Sequence, residues 1–329
     1  MLSLSCFTYS YVSYMNRILS IVGARPQFIK AAAVSRALRA RDQIEEVLVH
    51  TGQHYDANMS AIFFEELGIP EPDYNLGVGS GSHGVQTGQM IEEIERVVEM
   101  EGPTAVLIYG DTNSTLAGAV VSAKLNIPIA HVEAGLRSFN RAMPEEINRV
   151  LADHASDILF APTDVAMRNL LREGLGDRAH RVGDVMYDAA LFYADSLNTS
   201  ARCRRVLGDD ISNEFVLATV HRAENTDNGE RLKRIFGALK QTARTTPVVI
   251  PLHPRTKKAL QQADMLQEVK EALCVIAPVG YLDMISLERQ AQLIVTDSGG
   301  VQKEAYFQET PCVTLRDETE WTELVEAGC

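Results

Sequence analysis

Short apolar runs rich in β-branched residues alternate with longer stretches of helical periodicity along the whole chain. The runs at 17–22, 46–51, 105–109, 129–132, 158–161 and 178–182 read as strands. After a charged, irregular passage at about 198–213, further strands are expected at 215–219, 248–252, 273–277, 293–296 and 312–315. Between them, 28–41, 57–67, 87–100, 114–125, 145–155, 165–173, 231–242 and 258–271 carry the spacing of amphipathic helices. Strands that are apolar on both faces and alternate with helices build parallel sheets covered from both sides. The chain, at 329 residues, is too long for one small core. The pattern therefore predicts an α/β protein of two Rossmann-like doubly wound domains, 1–183 and 184–329, parted near Gly183 with a cleft between them.

Composition narrows the partners. The chain is 46% hydrophobic and 23% charged, as globular proteins are, with a net charge of -13. Such an acidic surface repels phosphate backbones and anionic lipid heads, so neither a nucleic-acid partner nor a membrane partner is expected. No run reaches the ~20 apolar residues of a membrane span. The first fifteen residues lack the basic start of a signal peptide, and Met15-Asn16-Arg17 is the more natural beginning, which makes 1–14 a start-site artefact by expectation. Five scattered cysteines without zinc or redox spacing suit a reducing cytoplasm, and no metal site is expected.

Open α/β sheets bind ligands beyond the carboxyl ends of their strands, so the residues just after each strand matter most. These are Gly23-Ala24-Arg25, Gly52-Gln53-His54, Gly110-Asp111-Thr112, Glu133, His221-Arg222, His253 and Asp297-Ser298-Gly299-Gly300. Ser298-Gly299-Gly300 opens a helix after a strand; it suits a phosphate, and equally an ordinary helix cap. Arg25 and Lys30 stand in the same strand–turn–helix setting and could reach a diphosphate or simply be solvated. Asp111, Glu133 and Glu145 are candidates for acid–base chemistry, although Asp111 could cap a helix and Glu145 or Glu146 could complement a helix dipole. His221 and His253 follow consecutive strands, and His131 precedes Glu133. Gly79-Ser80-Gly81-Ser82-His83-Gly84 matches a dinucleotide fingerprint literally, but without a proper strand before it and an acidic strand end after it. It reads as a flexible loop, and no nicotinamide or other cofactor is expected.

Seven ordered motifs carry a resemblance: Gly-Ala-Arg-Pro-Gln-Phe-Ile-Lys (23–30), Gly110-Asp111-Thr112, His-Val-Glu-Ala-Gly-Leu-Arg (131–137), Met-Pro-Glu-Glu-Ile-Asn-Arg (143–149), His-Arg-Ala-Glu-Asn (221–225), His253-Pro254 and Thr-Asp-Ser-Gly-Gly-Val-Gln-Lys-Glu (296–304). Together they resemble the non-hydrolysing UDP-N-acetylglucosamine 2-epimerases. The resemblance implies a glycosyltransferase-B-like fold, a homodimer, and a reaction in which UDP is eliminated to give a 2-acetamidoglucal and then added back. It implies that Asp111, Glu133 and Glu145 work at the sugar and that His221 assists near the diphosphate. Arg25, Lys30, His253, Ser298, Gly299, Gly300 and Glu304 would hold UDP, Glu304 on the ribose, while Arg149 and Arg316 stabilise charge. Gln53, His54, Arg222 and Glu224 match a regulatory UDP-sugar site of some members.

Two departures qualify the resemblance. Trp321-Thr322 stands where many members have Arg-Pro, as in related epimerases of UDP-2,3-diacetamido-2,3-dideoxy-glucuronate, so that substrate stays open. A glycosyltransferase of the same fold, or a UDP-sugar-binding protein with little turnover, also stays open. The chain also stops at Cys329, short of the family's final helix, and is expected to be a truncated product. A lower melting temperature than that of an extended chain is the expected result; equal values would contradict it.

Overall fold

The structure is a computed structural model and describes residues 16–53, 67–196, 198–208 and 214–317. Two parallel sheets organise it. The first contains β1 (Asn16–Val22), β2 (Ile44–His50), β3 (Tyr74–Asn75), β4 (Ala105–Tyr109), β5 (Ile129–Val132), β6 (Ile158–Ala161) and β7 (Ala179–Arg181), in the order β3-β2-β1-β4-β5-β6-β7. The second contains β8 (Val216–Thr219), β9 (Val248–Pro251), β10 (Cys274–Ile276), β11 (Leu293–Thr296) and β12 (Cys312–Thr314), in the order β10-β9-β8-β11-β12. In both, the order reverses beside the first strand, which opens a crevice at the carboxyl edge.

Central β1 shows why both faces are covered. Leu19 and Ile21 point into one core with Met90, Ile94 and Ile108, whereas Val22 points into the other with Phe28, Leu48 and Tyr109. The strand's period of two thus supplies two apolar layers. One is capped by α1 (Arg25–Arg39), the other by α2 (His83–Glu101) and α3 (Asn113–Lys124). Next come α4 (Pro144–Ala155), α5 (Asp164–Arg172), α6 (Val185–Ser196) and α7 (Thr199–Leu207). The second sheet is covered by α8 (Ala223–Thr226), α9 (Gly229–Thr242), α10 (Pro254–Gln262), α11 (Leu266–Ala272), α12 (Tyr281–Gln290) and α13 (Gly299–Phe307).

The halves share apolar packing. Helix α6 lies against α1 on one side and against α12 and α13 on the other. Tyr281, Leu282 and Ile285 of α12 are buried in the same cluster as Phe28, Met186 and Tyr193. The Arg36 guanidinium sits over the Phe192 ring, 3.6 Å from its centroid.

Each of the eleven expected strands is present, and the structure adds β3, whose two residues are too few to show a period. Three other differences have local causes. The passage expected to be irregular contains α7, capped by Asn198 accepting from Ala201 N and anchored by buried Cys203. The expected helix 258–271 breaks at Asp264, whose φ of 54° lies in the left-handed region, giving α10 and α11. The helix expected at 87–100 begins four residues earlier, at His83. The helix expected at 57–67 falls mostly outside the described residues, as do residues 1–14. No helix among the described residues is long and apolar enough to cross a membrane.

Gly118 lets α3 approach the sheet: a Cβ there would lie 2.7 Å from Ile21 Cδ1 and 3.0 Å from Ile108 Cγ2. Gly118→Val is therefore expected to destabilise the protein by ~1–3 kcal/mol, read as a lower urea midpoint. An unchanged midpoint would show that the helix can lift without cost.

Candidate active site

The first half of the site is built on strand tips. After β4 the chain turns at Gly110, with φ 61°, and a Cβ there would come within 3.1 Å of Lys30 Nζ. Asp111 follows, and Thr112 caps α3, so Asp111 is not a helix cap. Glu133 after β5 has φ 69°, a costly conformation for a residue with a side chain. The turn is held because the amides of Glu133 and Ala134 both donate to the Phe160 carbonyl, at 3.1 and 3.0 Å.

A buried network fixes these turns from below. His131 Nε2 donates to the Gly110 carbonyl at 2.7 Å, and its Nδ1 lies 2.7 Å from Asp153. Asp153 also accepts from Gly135 N at 3.0 Å and pairs with Arg137 at 2.8 Å. His131 is thus an anchor between two strand tips.

Cations from three elements surround the two carboxyl groups. Lys30 Nζ of α1 lies 2.7 Å from Glu133 Oε1, and Lys303 Nζ of α13 lies 3.6 Å from Glu133 Oε2. Arg149 Nη2 of α4 lies 2.5 Å from Asp111 Oδ2. Burial pushes the Glu133 carboxyl up, but Lys30, Lys303 and Arg149 outweigh it and hold it at about 2. Burial also pushes Asp111 up, and Arg149 and Lys30 do not offset it, partly because ionised Glu133 is close by. Two carboxyls at adjacent strand tips are therefore displaced in opposite directions.

The second half brings its own groups to the same place. Asp297 is fully buried and accepts from the amides of His221, at 3.0 and 2.9 Å, and Arg222, at 2.9 Å, and from Asn225 Nδ2 at 2.9 Å. This pins the turn that presents His221, whose ring lies 5.3 Å from that of His253. Burial pushes both imidazoles below their ordinary value; Asp297 opposes this, while Arg25 reinforces it in each. Arg25 comes from α1 of the first half, so its influence on His221, His253 and Glu304 places it across the crevice. Ser298 caps α13 through Val301 N at 3.5 Å, with Gly299 and Gly300 in the first turn and Glu304 buried one turn on.

Lys30, Asp111, Glu133 and Arg149 form one electrostatically linked group and Arg25, His221, His253 and Glu304 another, and Lys303 joins the two through Glu133 and Glu304. Arg316 is buried at the start of the loop after β12, with Nε 3.8 Å from Glu224 Oε1. Glu145 is exposed one turn before Arg149 and, among the described residues, joins neither carboxyl. Its neighbour Glu146 pins the loop at Ser138 and Phe139, accepting from their amides at 2.8 and 2.9 Å. Gln53 Oε1 is taken by Ser114, accepting from its N and Oγ at 3.1 and 2.7 Å. Arg222 and Glu224 lie at the start of α8, and His54 lies outside the described residues. No group of three His, Cys, Asp or Glu among the described residues could hold a metal ion.

Sequence reasoning named Asp297 only as one of the strand-tip residues and gave no role to Lys303, Glu288 or Tyr281. Lys303 is the most informative omission: it is buried, 2.5 Å from Asp184 Oδ2 as well as close to Glu133. Three consecutive polar residues read in sequence as an exposed helix face, and only the structure shows Gln302, Lys303 and Glu304 all buried.

A family model described as UDP-N-acetylglucosamine 2-epimerase matches residues 36–329. The chain belongs to that family. Its members are isomerases of the glycosyltransferase-B-like fold. It is 55% identical over 316 residues to the UDP-2,3-diacetamido-2,3-dideoxy-D-glucuronate 2-epimerase of Pseudomonas aeruginosa, covering 95% of this chain and 86% of that one. It is 49% identical over 317 residues to the UDP-N-acetylglucosamine 2-epimerase of Methanocaldococcus jannaschii, covering 94% and 86%. The M. jannaschii crystal structure with UDP-GlcNAc and UDP superposes with a TM-score of 0.84 at 48% identity, covering 94% of this chain and 86% of that one. The Neisseria meningitidis enzyme bound to UDP-GlcNAc superposes at 0.87 with 32% identity, covering 95% and 86%.

Lys303→Met is expected to lower stability at pH 7 by ~1–3 kcal/mol, because it leaves Asp184 and Glu133 with fewer partners. Glu133 titrates below its unfolded value, so its stabilisation is present above the ordinary carboxylate range and is lost as pH falls toward 2. The gap between the denaturation midpoints of the two proteins should therefore narrow steadily as the pH falls from about 5 toward 2. A gap independent of pH would refute the assignment.

Proposed function

We propose that the chain inverts C2 of a UDP-linked 2-acetamido sugar, interconverting UDP-N-acetylglucosamine and UDP-N-acetylmannosamine. The observation that carries this is the pair Asp111 and Glu133, oppositely displaced in proton affinity within a ring of cations. Inversion at C2 must take a proton from one face of the carbon and return one to the other. In this reading the two sheets belong to two domains parted at Gly183, and the copies pair as a homodimer.

The C2 hydrogen is a very weak acid, so the C1–O bond must break well ahead of proton transfer. The electron pair leaves with UDP, whose charge falls on Arg25, Lys30, Arg149, Arg316 and the N-terminus of α13. Ionised Glu133 stabilises the positive charge growing at C1, and that charge makes the C2 hydrogen acidic. Asp111, a better base than an ordinary carboxylate, takes the proton, and the C–H electrons become the C1=C2 bond of a 2-acetamidoglucal. UDP then returns to C1 while C2 gains a solvent-derived proton on the opposite face, and Asp111 releases the proton it took to solvent. His221, held below its ordinary value, is neutral at pH 7 and serves the diphosphate as a hydrogen-bonding partner.

A second substrate is favoured by Trp321-Thr322 and by the 55%-identical relative: UDP-2,3-diacetamido-2,3-dideoxy-glucuronate. Both UDP-sugars, assayed side by side by proton NMR in deuterated water, test the reading through exchange at C2 without any acceptor. Asp111→Asn and His221→Ala are each expected to slow that exchange ~100-fold or more while UDP affinity changes only a few-fold. Full exchange activity in Asp111→Asn would remove that residue from the mechanism.

A further inference from the structure

Glu288 lies on α12, two helical turns after Tyr281, and is fully buried. Neither of its carboxyl oxygens meets an N–H or O–H donor among the described residues. Its neighbour is another carboxyl, that of Glu304 on α13. The groups facing this pair are Tyr281 on α12, Lys303 on α13 and Arg25 on α1, with Tyr193 on α6 behind Tyr281, their rings 6.0 Å apart. Thr310 Oγ1 donates only to the Glu288 backbone carbonyl, at 2.9 Å.

Two buried carboxylates in contact cannot both be charged, and an ionised group without donors is strongly disfavoured. A single proton turns the contact into a charge-assisted O–H···O⁻ hydrogen bond. The proton belongs on Glu288, because Arg25, Lys303 and Tyr281 all favour the ionised form of Glu304, whereas only Arg25 opposes burial at Glu288. A ribose diol, in turn, presents two hydroxyl donors and needs an ionised carboxylate to accept them.

We propose that Glu288 is a positioning residue: protonated, it donates to one oxygen of Glu304, leaves the rest of that carboxylate to the ribose hydroxyls of the nucleotide, and makes nucleotide binding proton-linked. This rests on the reading of Glu304 as the ribose ligand. Burial, opposed by Arg25, pushes the Glu304 carboxyl up to about 7, so below neutrality the free protein carries a second proton on the pair. Binding must expel it. UDP affinity should then fall about tenfold per pH unit below 7 and level off above it.

The test is calorimetric titration with UDP between pH 5.5 and 8.5. In Glu288→Gln the amide donates the same hydrogen bond, so Glu304 keeps its partner and its proton affinity. Affinity and its pH profile are expected to match those of the unaltered protein within about twofold. His221, His253 and the UDP phosphate titrate in both proteins, so they cancel from the comparison. Glu288→Leu, which keeps an apolar filling, removes the donor that holds Glu304 down, so UDP should bind at least fivefold more weakly at pH 7 and the fall should begin at a higher pH, with Gln restoring both. Identical pH profiles in the unaltered protein and Glu288→Leu would overturn the inference while leaving the nucleotide site in place. Equal losses in the Gln and Leu variants would also overturn it, as the mark of a merely structural group. Failure of the unaltered protein to bind UDP at any pH would overturn the reading of the site and this inference with it.

Discussion

Glu133 sits between lysines from opposite halves of the molecule, and the rest of the site depends on that arrangement. A buried carboxyl left alone would keep its proton, because charge is poorly solvated there. Lys30 from α1 and Lys303 from α13 make the ionised form the favoured one, and Lys303 also reaches Asp184 at the start of the strut formed by α6. The series Lys30–Glu133–Lys303–Asp184 therefore exists only when both sheets are docked. Its electrostatics and the shared apolar packing of Phe28, Tyr193 and Tyr281 support the same relative placement.

The left-handed backbone at Glu133 is part of the same arrangement. It costs conformational energy, and the amides donating to Phe160 together with the His131–Asp153 network below keep the residue in place. Asp297 does the equivalent work in the other half. It is fully buried, and its oxygens accept from the amides of His221 and Arg222 and from Asn225, so it orients a turn without facing the crevice. Asp111 differs in being 30% exposed toward the crevice, with Arg149 as its partner. Carboxylates at strand tips thus divide into anchors enclosed by backbone donors and groups left partly exposed beside a cation.

Proton inventory links the two ends of the site. In the first half, Asp111 is held above and Glu133 below the ordinary range. In the second half, burial pushes Glu304 up to about 7 beside a Glu288 whose carboxyl oxygens meet no N–H or O–H donor among the described residues. In each case burial raises the carboxyl and the number of nearby cations decides whether it stays raised. One rule accounts for four side chains on different elements.

The sequence alone determined the two parallel sheets, the strand boundaries within two residues and the strand tips on which Arg25, Asp111, Glu133, His221 and Ser298 lie. Those features follow from periods of two and 3.6 residues, which local chain geometry imposes. It missed α7 at Thr199–Leu207, where arginines at 202, 204 and 205 interrupt the apolar positions Cys203, Val206 and Leu207, and the break at Asp264, which depends on one residue's φ. Only the tertiary structure decided that His131 and Asp297 are anchors, that Glu145 stands apart from the carboxyl pair, that Lys303 pairs with Glu133 and Asp184, and that Glu288 is buried beside Glu304. The reason is distance along the chain: Lys30 and Glu133 are 103 residues apart, and His221 and Asp297 are 76 apart. Whether a polar side chain is satisfied, charged or available depends on partners that no local window contains.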